Sequence, residues 1–373
     1  MNLKIGHFHL ISANTPGVIK KINAQAKVWI KIYSNIEIVI FTDNIKSINI
    51  EFSKNLKLVE LPNFFPKTSI FKTPYFISEF ANQHNFDVII GRFNGLSPLF
   101  KRAFKNKKFT LITEYHTLIE AEFYSSKRPE LAFLYKFSKK ISDIAIDGKI
   151  CVTNEIANSE TFNKPIKVIS NGFESHNNET PSFKIFDNRN INLLISCSEY
   201  RSWHGIERLF NSVLSWKKTN PELKISIDIV GDIKKEDFNS HLIPENVEFH
   251  GLKSNDEVFK LAKNSNFGIS TLSLYKKQMS EACPLKSREY ISIGLPFIYA
   301  YDDVDIPLNN IFAMKIPNDN TLIDISSVLE WLNYIKRDSI KFKLDWHLLK
   351  KNISWDEKLK NYLVFINEIR SLK

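Results

Sequence analysis

The chain alternates short apolar runs with longer segments in which apolar residues recur every three or four positions. The first pattern is typical of buried strands and the second of amphipathic helices. Their alternation predicts βαβ units and a mostly parallel sheet. In the first half, strands are predicted at 4–11, 36–41, 88–90, 110–113, 149–153 and 167–170, and helices at 18–33 and 119–141.

A break in this alternation divides the chain. Residues 174–190, ESHNNETPSFKIFDNRN, are polar and rich in turn formers, which indicates a linker. Beyond it the alternation restarts, with strands predicted at 191–196, 224–230, 247–251, 267–270 and 297–300, and helices at 205–219, 256–265 and 286–293. We therefore expect an α/β domain at 1–173, a linker at 174–190, a second α/β domain at 191–350 and a C-terminal segment at 351–373, whose helix covers 355–372.

Composition narrows the class of protein. The net charge of +10 favours anionic partners, although solubility alone is the simpler explanation. The three cysteines, Cys151, Cys197 and Cys283, form no CxxC pair, which indicates neither a zinc site nor a disulfide framework. The N-terminus resembles no signal peptide, and no apolar run reaches the roughly 18 residues of a membrane span. We expect a cytoplasmic protein whose membrane contact, if it has any, is peripheral.

Two common nucleotide-binding motifs are missing. No G-x-G-x-x-G follows a predicted strand, and no G-x-x-x-x-G-K-[ST] occurs. The sequence therefore supports neither a dinucleotide-binding Rossmann site nor a P-loop.

The segment SEACPLKSREYISIG places Glu281 and Glu289 around a predicted helix start. Pro284 suits the first turn because its missing N–H is not needed there, and Gly294 suits the C-terminal cap. The backbone N–H groups of such a helix start, with Lys286, form a natural anion site. The two carboxylates would accept hydrogen bonds from hydroxyls, so the segment fits a diphosphate with a sugar at each end. Ordinary charge pairing on a surface helix is the alternative.

This segment resembles the Glu-x(7)-Glu signature of retaining GT-B glycosyltransferases, and more narrowly bacterial glycosyltransferase family four in its PLK-x-REY…G-x-PF form. Other stretches match in the same order, namely PGVIKK at 16–21, SNG at 170–172, WHGIER at 203–208, IVG at 229–231 and FHG at 249–251. The resemblance covers nearly the whole chain. It implies a GT-B fold, with two Rossmann-like domains facing across a cleft and a last helix that returns to the first domain.

The resemblance also implies a donor site for a nucleoside diphosphate sugar. Glu289 would bind the ribose and Glu281 the transferred sugar. The backbone of 282–286, which includes Leu285, would hold the diphosphate together with Lys286. The usual glycines between the two glutamates are absent here, which weakens the expectation for Glu281.

A second part of the implied donor site is the turn that contains His204 and Gly205. Many members of the family carry Arg and Lys in this turn, whereas this chain has His204 at the Lys position. Arg201 or Arg208 would supply the charge. Arg208 has an alternative, structural interpretation as a helix residue paired with an acid.

In the first domain, Glu114 and His116 follow a predicted strand, and parallel strands direct their carboxyl ends toward a ligand crevice. His116 matches the position at which the family often has a histidine near the reacting sugar; a hydrogen-bonded structural histidine is the alternative. Glu114 and Glu122 would orient the acceptor. Arg92, at another strand end, would meet an anionic acceptor or the donor phosphate. By the same resemblance, Gly17, in the glycine loop that opens the first helix, would contact the donor.

Two further patterns have competing explanations. Asp303 and Asp305 spell D-x-D, a metal-binding pair in GT-A enzymes, but their place in a GT-B-like pattern favours a loop or cap. The run KRAFKNKK at 101–108 has five basic residues, which is typical of a solvated face. With Phe100, Phe104 and the lysines near 136–140, it also fits an anionic membrane surface. No recognisable nucleic-acid-binding motif occurs, so we do not expect nucleic acid as a partner.

The resemblance thus implies a nucleotide-sugar-dependent, metal-independent, hexosyltransferase-type enzyme that acts on a growing glycan or a lipid-linked oligosaccharide. Its pathway would be the biosynthesis of capsule, lipopolysaccharide or exopolysaccharide. A GT-B-like sugar-nucleotide epimerase or phosphorylase is the alternative among enzymes. A non-catalytic basic binding protein is the alternative from another class.

Overall fold

The computed structural model describes residues 2–11, 16–48, 54–62, 69–93, 97–125, 127–160, 164–174, 180–187 and 189–372. Contacts divide the chain into two compact units. The first comprises Met1–Ser170 with Trp355–Lys373, and the second comprises Asn171–Ser354. Within the described residues, no helix combines the length and the apolar character needed to cross a bilayer.

The first unit is built on a parallel sheet of seven described strands in the order β3-β2-β1-β4-β5-β6-β7. These strands are β1 (Ile5–Leu10), β2 (Ile36–Thr42), β3 (Leu56–Glu60), β4 (Val88–Arg92), β5 (Thr110–Tyr115), β6 (Gly148–Cys151) and β7 (Ile166–Val168). The helices are α1 (Pro16–Ile32), α2 (Ser69–Gln83), α3 (Phe100–Ala103), α4 (Ile119–Ser125), α5 (Pro129–Ser142), α6 (Asn154–Ser159) and the C-terminal α12 (Trp355–Ser371).

Two apolar clusters cover the faces of this first sheet. One combines strand residues with α1 and α12, and includes the buried Trp29, Tyr362 and Ile369. Gly148 lets α12 approach β6, because a Cβ there would lie 2.2 Å from Cδ1 of Ile369. The other cluster is rich in phenylalanine and packs α2 and α3 against the opposite face. Burial on both faces explains why the strands read as continuous apolar runs.

The second unit contains a parallel sheet of six described strands in the order β10-β9-β8-β11-β12-β13. The strands are β8 (Asn190–Glu199), β9 (Lys224–Asp232), β10 (Val247–Gly251), β11 (Phe267–Ile269), β12 (Phe297–Tyr299) and β13 (Ala313–Lys315). The helices are α7 (Ile206–Lys217), α8 (Asn255–Asn264), α9 (Leu285–Ile293), α10 (Ile325–Arg337) and α11 (Ser339–Asn352). The parallel α/β class predicted from the sequence is confirmed for both sheets.

Helix α9 is held against its sheet by one tyrosine. The buried hydroxyl of Tyr290 accepts a hydrogen bond from the Ser196 N–H at 2.9 Å and lies 3.1 Å from the Leu194 carbonyl oxygen. Gly268 in β11 leaves room for the ring, since a Cβ there would lie 2.8 Å from it. The helix ends at Gly294, whose φ of 81° is the left-handed conformation that favours glycine. The predicted C-terminal cap is therefore confirmed.

Several elements differ from the prediction. The helix predicted at 119–141 is two helices, since Lys127 has a φ of 57° and Pro129 begins a new helix. Strands β3 and β13 and helices α2, α3, α6, α10 and α11 were not predicted. Residues 180–187, part of the predicted linker, belong to the second unit, where Phe186 is buried and the Ser182 N–H donates to the Ile293 carbonyl.

Candidate active site

In the second unit, the topology places the candidate ligand site at the carboxyl ends of the neighbouring strands β8 and β11. From β8, the chain adds β9 and β10 on one side of the sheet and then β11, β12 and β13 on the other, so the direction of strand addition reverses between β8 and β11. Ligands of open α/β sheets bind at such a switch point. The loop after β8, the loop after β11 and the start of α9 all meet there.

Lys286 lies in the first turn of α9 at this switch point. Its Nζ is 3.7 Å from Sγ of Cys197, near the end of β8. Burial lowers the pKa of Lys286, and the same burial raises the pKa of Cys197. Pro284 immediately precedes α9 in an extended conformation, and no side chain caps the helix. A half-buried ammonium beside uncapped N–H groups favours an anion.

His204 lies on the β8–α7 loop of the same crevice. Burial, and then the charges of Lys286, Arg201 and Lys277, hold the pKa of His204 well below its usual value. Its Nδ1 is buried and has no hydrogen-bond partner among the described residues. A neutral imidazole surrounded by three cations marks a region of positive potential, which a bound anion would relieve.

Gly205 brings the two loops together. The Leu272 N–H donates to the His204 carbonyl at 3.1 Å, and the Ser273 N–H donates to the Trp203 carbonyl at 3.2 Å. Gly205 has a φ of 74°, and a Cβ there would lie 2.7 Å from Oγ of Ser273. That hydroxyl is buried without a hydrogen-bond partner in the described part of the chain. It is a further polar group at this predicted donor turn.

The two glutamates of the signature lie on different supports. Glu281 pairs by its backbone with Asp302, since the Ala282 N–H donates to the Asp302 carbonyl at 3.0 Å. Glu289 belongs to the second turn of α9, as predicted. Both side chains are half-buried, as are Leu285 and Lys286. The structure thus presents the segment as a loop that enters a helix start, the arrangement that the ligand interpretation requires.

A buried ion network holds this segment in place. Arg288 in α9 is fully buried and forms a bidentate pair with Asp303, while its NH2 group lies 2.5 Å from Oδ2 of Asp305. Its Nε donates to the Asn171 carbonyl at 3.1 Å. Asn171 in turn donates through Nδ2 to the Cys283 carbonyl at 2.9 Å. The D-x-D acids therefore serve as partners of an arginine, in agreement with the loop interpretation.

The two arginines considered as charge donors have different surroundings. Arg208 is buried and donates to the carbonyls of Leu272, Pro317 and Thr321 and to the Asp319 carboxylate. Its guanidinium holds these loops together. This corrects the role predicted for Arg208 in binding the nucleotide-sugar donor and favours the structural alternative. Arg201 is exposed and pairs with Glu199 at 2.6 Å. It remains accessible at the mouth of the loop.

In the first unit, the switch point lies between β1 and β4. Glu114, at the end of β5, is the centre of a buried polar cluster there. Oε1 accepts from the Tyr362 hydroxyl at 2.5 Å and lies 3.4 Å from Nε2 of His7, and Oε2 accepts from Nε2 of His116 at 3.2 Å. Burial alone would raise the pKa of Glu114, but His7, His116 and Lys21 hold it well below its usual value.

These contacts correct the predicted acceptor role of Glu114. Both carboxylate oxygens are occupied and the side chain is 0% exposed, so no oxygen is left for a ligand. Its contacts instead orient His116. Because a carboxylate only accepts, Nε2 of His116 carries the proton, and Nδ1 is the acceptor, 3.5 Å from Nζ of Lys21. Burial, Lys21 and Arg92 lower the pKa of His116 to about 3, so the ring is neutral.

The described residues contain two groups with the composition of a metal site, His7–His9–Glu114 and Asp228–Glu248–His250. In the first, the Trp29 N–H donates to Nδ1 of His7 at 3.2 Å, which places the His7 proton on Nε2, toward Glu114. In the second, both nitrogens of His250 face carboxylates, at 2.7 and 3.5 Å. In each group a histidine nitrogen that would have to coordinate a metal already faces a carboxylate.

The remaining predicted residues of the first unit lie on three different elements. Arg92 ends β4 beside His9 in the sheet register, and burial lowers its pKa while Glu114 and Glu122 oppose the shift. Glu122 is exposed on α4. Gly17 lies in the first turn of α1, but the loop at 12–15 before it lies outside the described residues.

Neither a protein-family model nor a curated protein sequence matches the chain. Solved structures do. A glycosyltransferase from Rickettsia africae matches with a TM-score of 0.65 at 16% identity, over 98% of both chains. The lipopolysaccharide outer core galactosyltransferase WaaB, in its apo form, matches with a TM-score of 0.64 at 14% identity, over 96% of this chain and 99% of that one. Anabaena HepE in complex with UDP-glucose matches with a TM-score of 0.63 at 12% identity, over 99% and 100%.

Sequence reasoning missed several polar residues in each of the two units. Ser273, Lys277 and Tyr362 carry no local signature, whereas Lys21 and Arg288 lie inside the quoted PGVIKK and PLK-x-REY stretches but were given no role. Tyr362 reaches Glu114 across 248 positions of sequence, and no spacing rule could have paired them. Taken together, the two parallel units and the similarity to glycosyltransferase structures over nearly the full chain show a GT-B fold.

Proposed function

We propose that this chain is a retaining glycosyltransferase that moves a sugar from a nucleoside diphosphate sugar to a hydroxyl of a growing glycan. The observation that carries the proposal is Lys286 beside Cys197 at the switch point of a GT-B unit, with the half-buried His204 held neutral in part by the charge of Lys286. Anabaena HepE, whose fold is similar, forms a complex with UDP-glucose. This supports a donor of that class.

The donor would lie along α9. Its diphosphate would accept hydrogen bonds from the N–H groups at the start of the helix and from Lys286. The Ser273 hydroxyl, which has no partner among the described residues, could donate to it from the same loop. Glu289 would bind the ribose hydroxyls, and Glu281 the transferred sugar. The sequence signature supports these two roles and also the retaining course of the reaction.

The chemical step needs little from the protein beyond charge and position. The bond from the anomeric carbon to the phosphate oxygen breaks, a bond from the acceptor oxygen to that carbon forms, and the acceptor proton passes to the leaving diphosphate. Negative charge grows on that diphosphate, and Lys286 would stabilise it without reorganisation. His116 would position the sugar in the orientation that Glu114 imposes.

We propose further that transfer needs no divalent metal, because Arg288 occupies the D-x-D carboxylates. EDTA should leave the rate unchanged. Strict loss with rescue by Mn²⁺ would contradict this part of the proposal.

The acceptor is proposed to be a precursor of a bacterial surface polysaccharide, either a glycan or a lipid-linked oligosaccharide. The similarity to WaaB, named as a lipopolysaccharide outer core galactosyltransferase, supports this class.

A thermal-shift screen against UDP-, GDP-, ADP- and CMP-sugars tests the proposal first. We expect one nucleotide class to raise the melting temperature, and Glu289→Ala to abolish the shift. Glu330→Ala, an exposed glutamate on α10 of the same unit, is the matched control. With the identified donor, NMR of the product should show the anomeric configuration of the donor retained. No shift with any donor, or an equal shift in Glu289→Ala, would refute the proposed donor site.

A further inference from the structure

Helix α5 exposes an aromatic and basic face. Phe133 is 77% exposed and Phe137 is 61% exposed. They are four residues apart, and so are the exposed Lys136 and Lys140, which places all four on one side of the helix. Large apolar side chains of this exposure on adjacent turns mark an interaction surface more often than a solvated one.

The opposite face of α5 is firmly packed, so these rings are not exposed by fraying. Ala132, Tyr135, Ser138 and Ser142 are buried. Directly after the helix, the Asp143 carboxylate pairs with Lys149 at 2.8 Å. The helix is therefore a rigid support for its outer face.

Basic side chains continue beyond α5. Helix α3 packs against α5. On α3 and the turn after it, Lys101, Arg102, Lys105 and Lys108 are exposed. The aromatic partners predicted for this basic run, Phe100 and Phe104, are buried at 3% and 2% exposure and belong to the core. The apolar component of the surface thus comes from α5, which corrects the prediction made for these two rings.

We propose that this α3–α5 face, formed by Phe133, Lys136, Phe137, Lys140 and the α3 basic residues, docks on an anionic lipid bilayer. The phenyl rings would enter the boundary between headgroups and acyl chains while the ammonium groups stay at the level of the phosphates. A second copy of the chain would bring like charges together. Nucleic acid would satisfy the lysines but leave the two rings in water. The inference deepens the proposed function and rests on it, since it names the surface at which a lipid-linked acceptor would be met.

The expected changes in vesicle binding follow from general membrane electrostatics and from the burial of apolar surface. Each Lys or Arg near an anionic surface contributes about 1 kcal/mol, which is roughly a fivefold change in partitioning. Lys136→Gln with Lys140→Gln should therefore weaken binding about 25-fold at low salt and reduce its salt dependence. Phe133→Ser with Phe137→Ser should weaken binding at least about tenfold and leave the salt dependence in place.

Cosedimentation of the full chain with vesicles tests the proposal. One set contains phosphatidylcholine with about one third phosphatidylglycerol, and the other contains phosphatidylcholine alone. We expect binding to the first set and at least tenfold weaker binding to the second. Matched controls are Ile340→Ser with Leu344→Ser, at 74% and 65% exposure on α11, and Lys234→Gln with Lys235→Gln, two exposed lysines of the second unit. Both control pairs should bind like the parent.

Absence of binding to anionic vesicles would overturn the proposal. So would parental binding by Phe133→Ser with Phe137→Ser, or equal loss in the α11 control. A dimer in sedimentation velocity that the phenylalanine variant abolishes would assign the face to a second copy instead. Thermal shifts with nucleotide sugars should be the same in all these variants, so failure of the membrane surface and failure of the donor site remain distinguishable.

Discussion

Replacing Arg288 by methionine should strongly destabilise the second unit. The guanidinium is fully buried and reaches Asp303, Asp305 and the Asn171 carbonyl. Without it, two buried carboxylates lose the guanidinium that they share. Removing one partner of a buried pair costs about 3–5 kcal/mol in unfolding free energy, and the second carboxylate places this case at the upper end.

Further variants separate charge from packing. Arg288→Lys keeps a cation but loses the planar bidentate fork, so we expect an intermediate loss of about 1–3 kcal/mol. Adding Asp303→Asn and Asp305→Asn to Arg288→Met removes the two carboxylate charges that Arg288 had paired and should recover about 2 kcal/mol or more. Arg337→Met, at an exposed position on α10, is the matched control and should change stability by no more than about 0.5 kcal/mol.

Urea unfolding followed by tryptophan fluorescence measures these differences. Trp346 is a suitable reporter because it is buried and its indole N–H donates to the Ile291 carbonyl of α9 at 2.6 Å. A loss below about 1 kcal/mol in Arg288→Met, or a triple variant no more stable than the single one, would refute the reasoning from a buried ion network.

Three other outcomes follow from the polar clusters. The folded-state pKa of His116, about 3, lies below the unfolded value of about 6.5, so its contribution is fully present above about pH 6.5 and is lost as the pH falls toward 3. Between pH 7 and 5.5 the parent should lose about 1.3 kcal/mol more of its unfolding free energy than His116→Gln; equal losses would show that the ring is not held neutral. Glu114→Gln should lower the unfolding free energy by about 1–3 kcal/mol, since an amide N–H₂ would face donors such as the Tyr362 hydroxyl, and an unchanged urea midpoint would argue against the buried cluster. A bound diphosphate should raise the depressed pKa of His204, so donor affinity by calorimetry should increase as the pH falls from about 7.5 to 5.5, and His204→Gln should remove this trend; a parent with flat affinity would place the diphosphate elsewhere.

Local pattern was sufficient for the strongest elements. Helix α9 and its cap at Gly294 were predicted because a proline precedes the helix, a glycine follows it and the apolar positions between them agree. The 119–141 segment was predicted as one helix because its apolar periodicity continues across Pro129, and only the turn at Lys127 shows the break. Strand β3 was missed because its residues are only partly buried and lie at the edge of the sheet.

The sequence by itself determined the two α/β units and the position of the Glu281–Glu289 segment, because strand alternation, caps and motif order are encoded over short spans of chain. The tertiary structure alone decided what the charged groups do. In the sequence, Arg208 and Arg288 are simply basic residues of two predicted helices. In the structure, both side chains bind carbonyls and carboxylates more than ten positions away along the chain. Glu114, predicted for an acceptor, is instead satisfied by Tyr362 from the last helix. Such partners depend on how distant strands and helices are brought together, and a buried charge is stable only where that assembly pairs it.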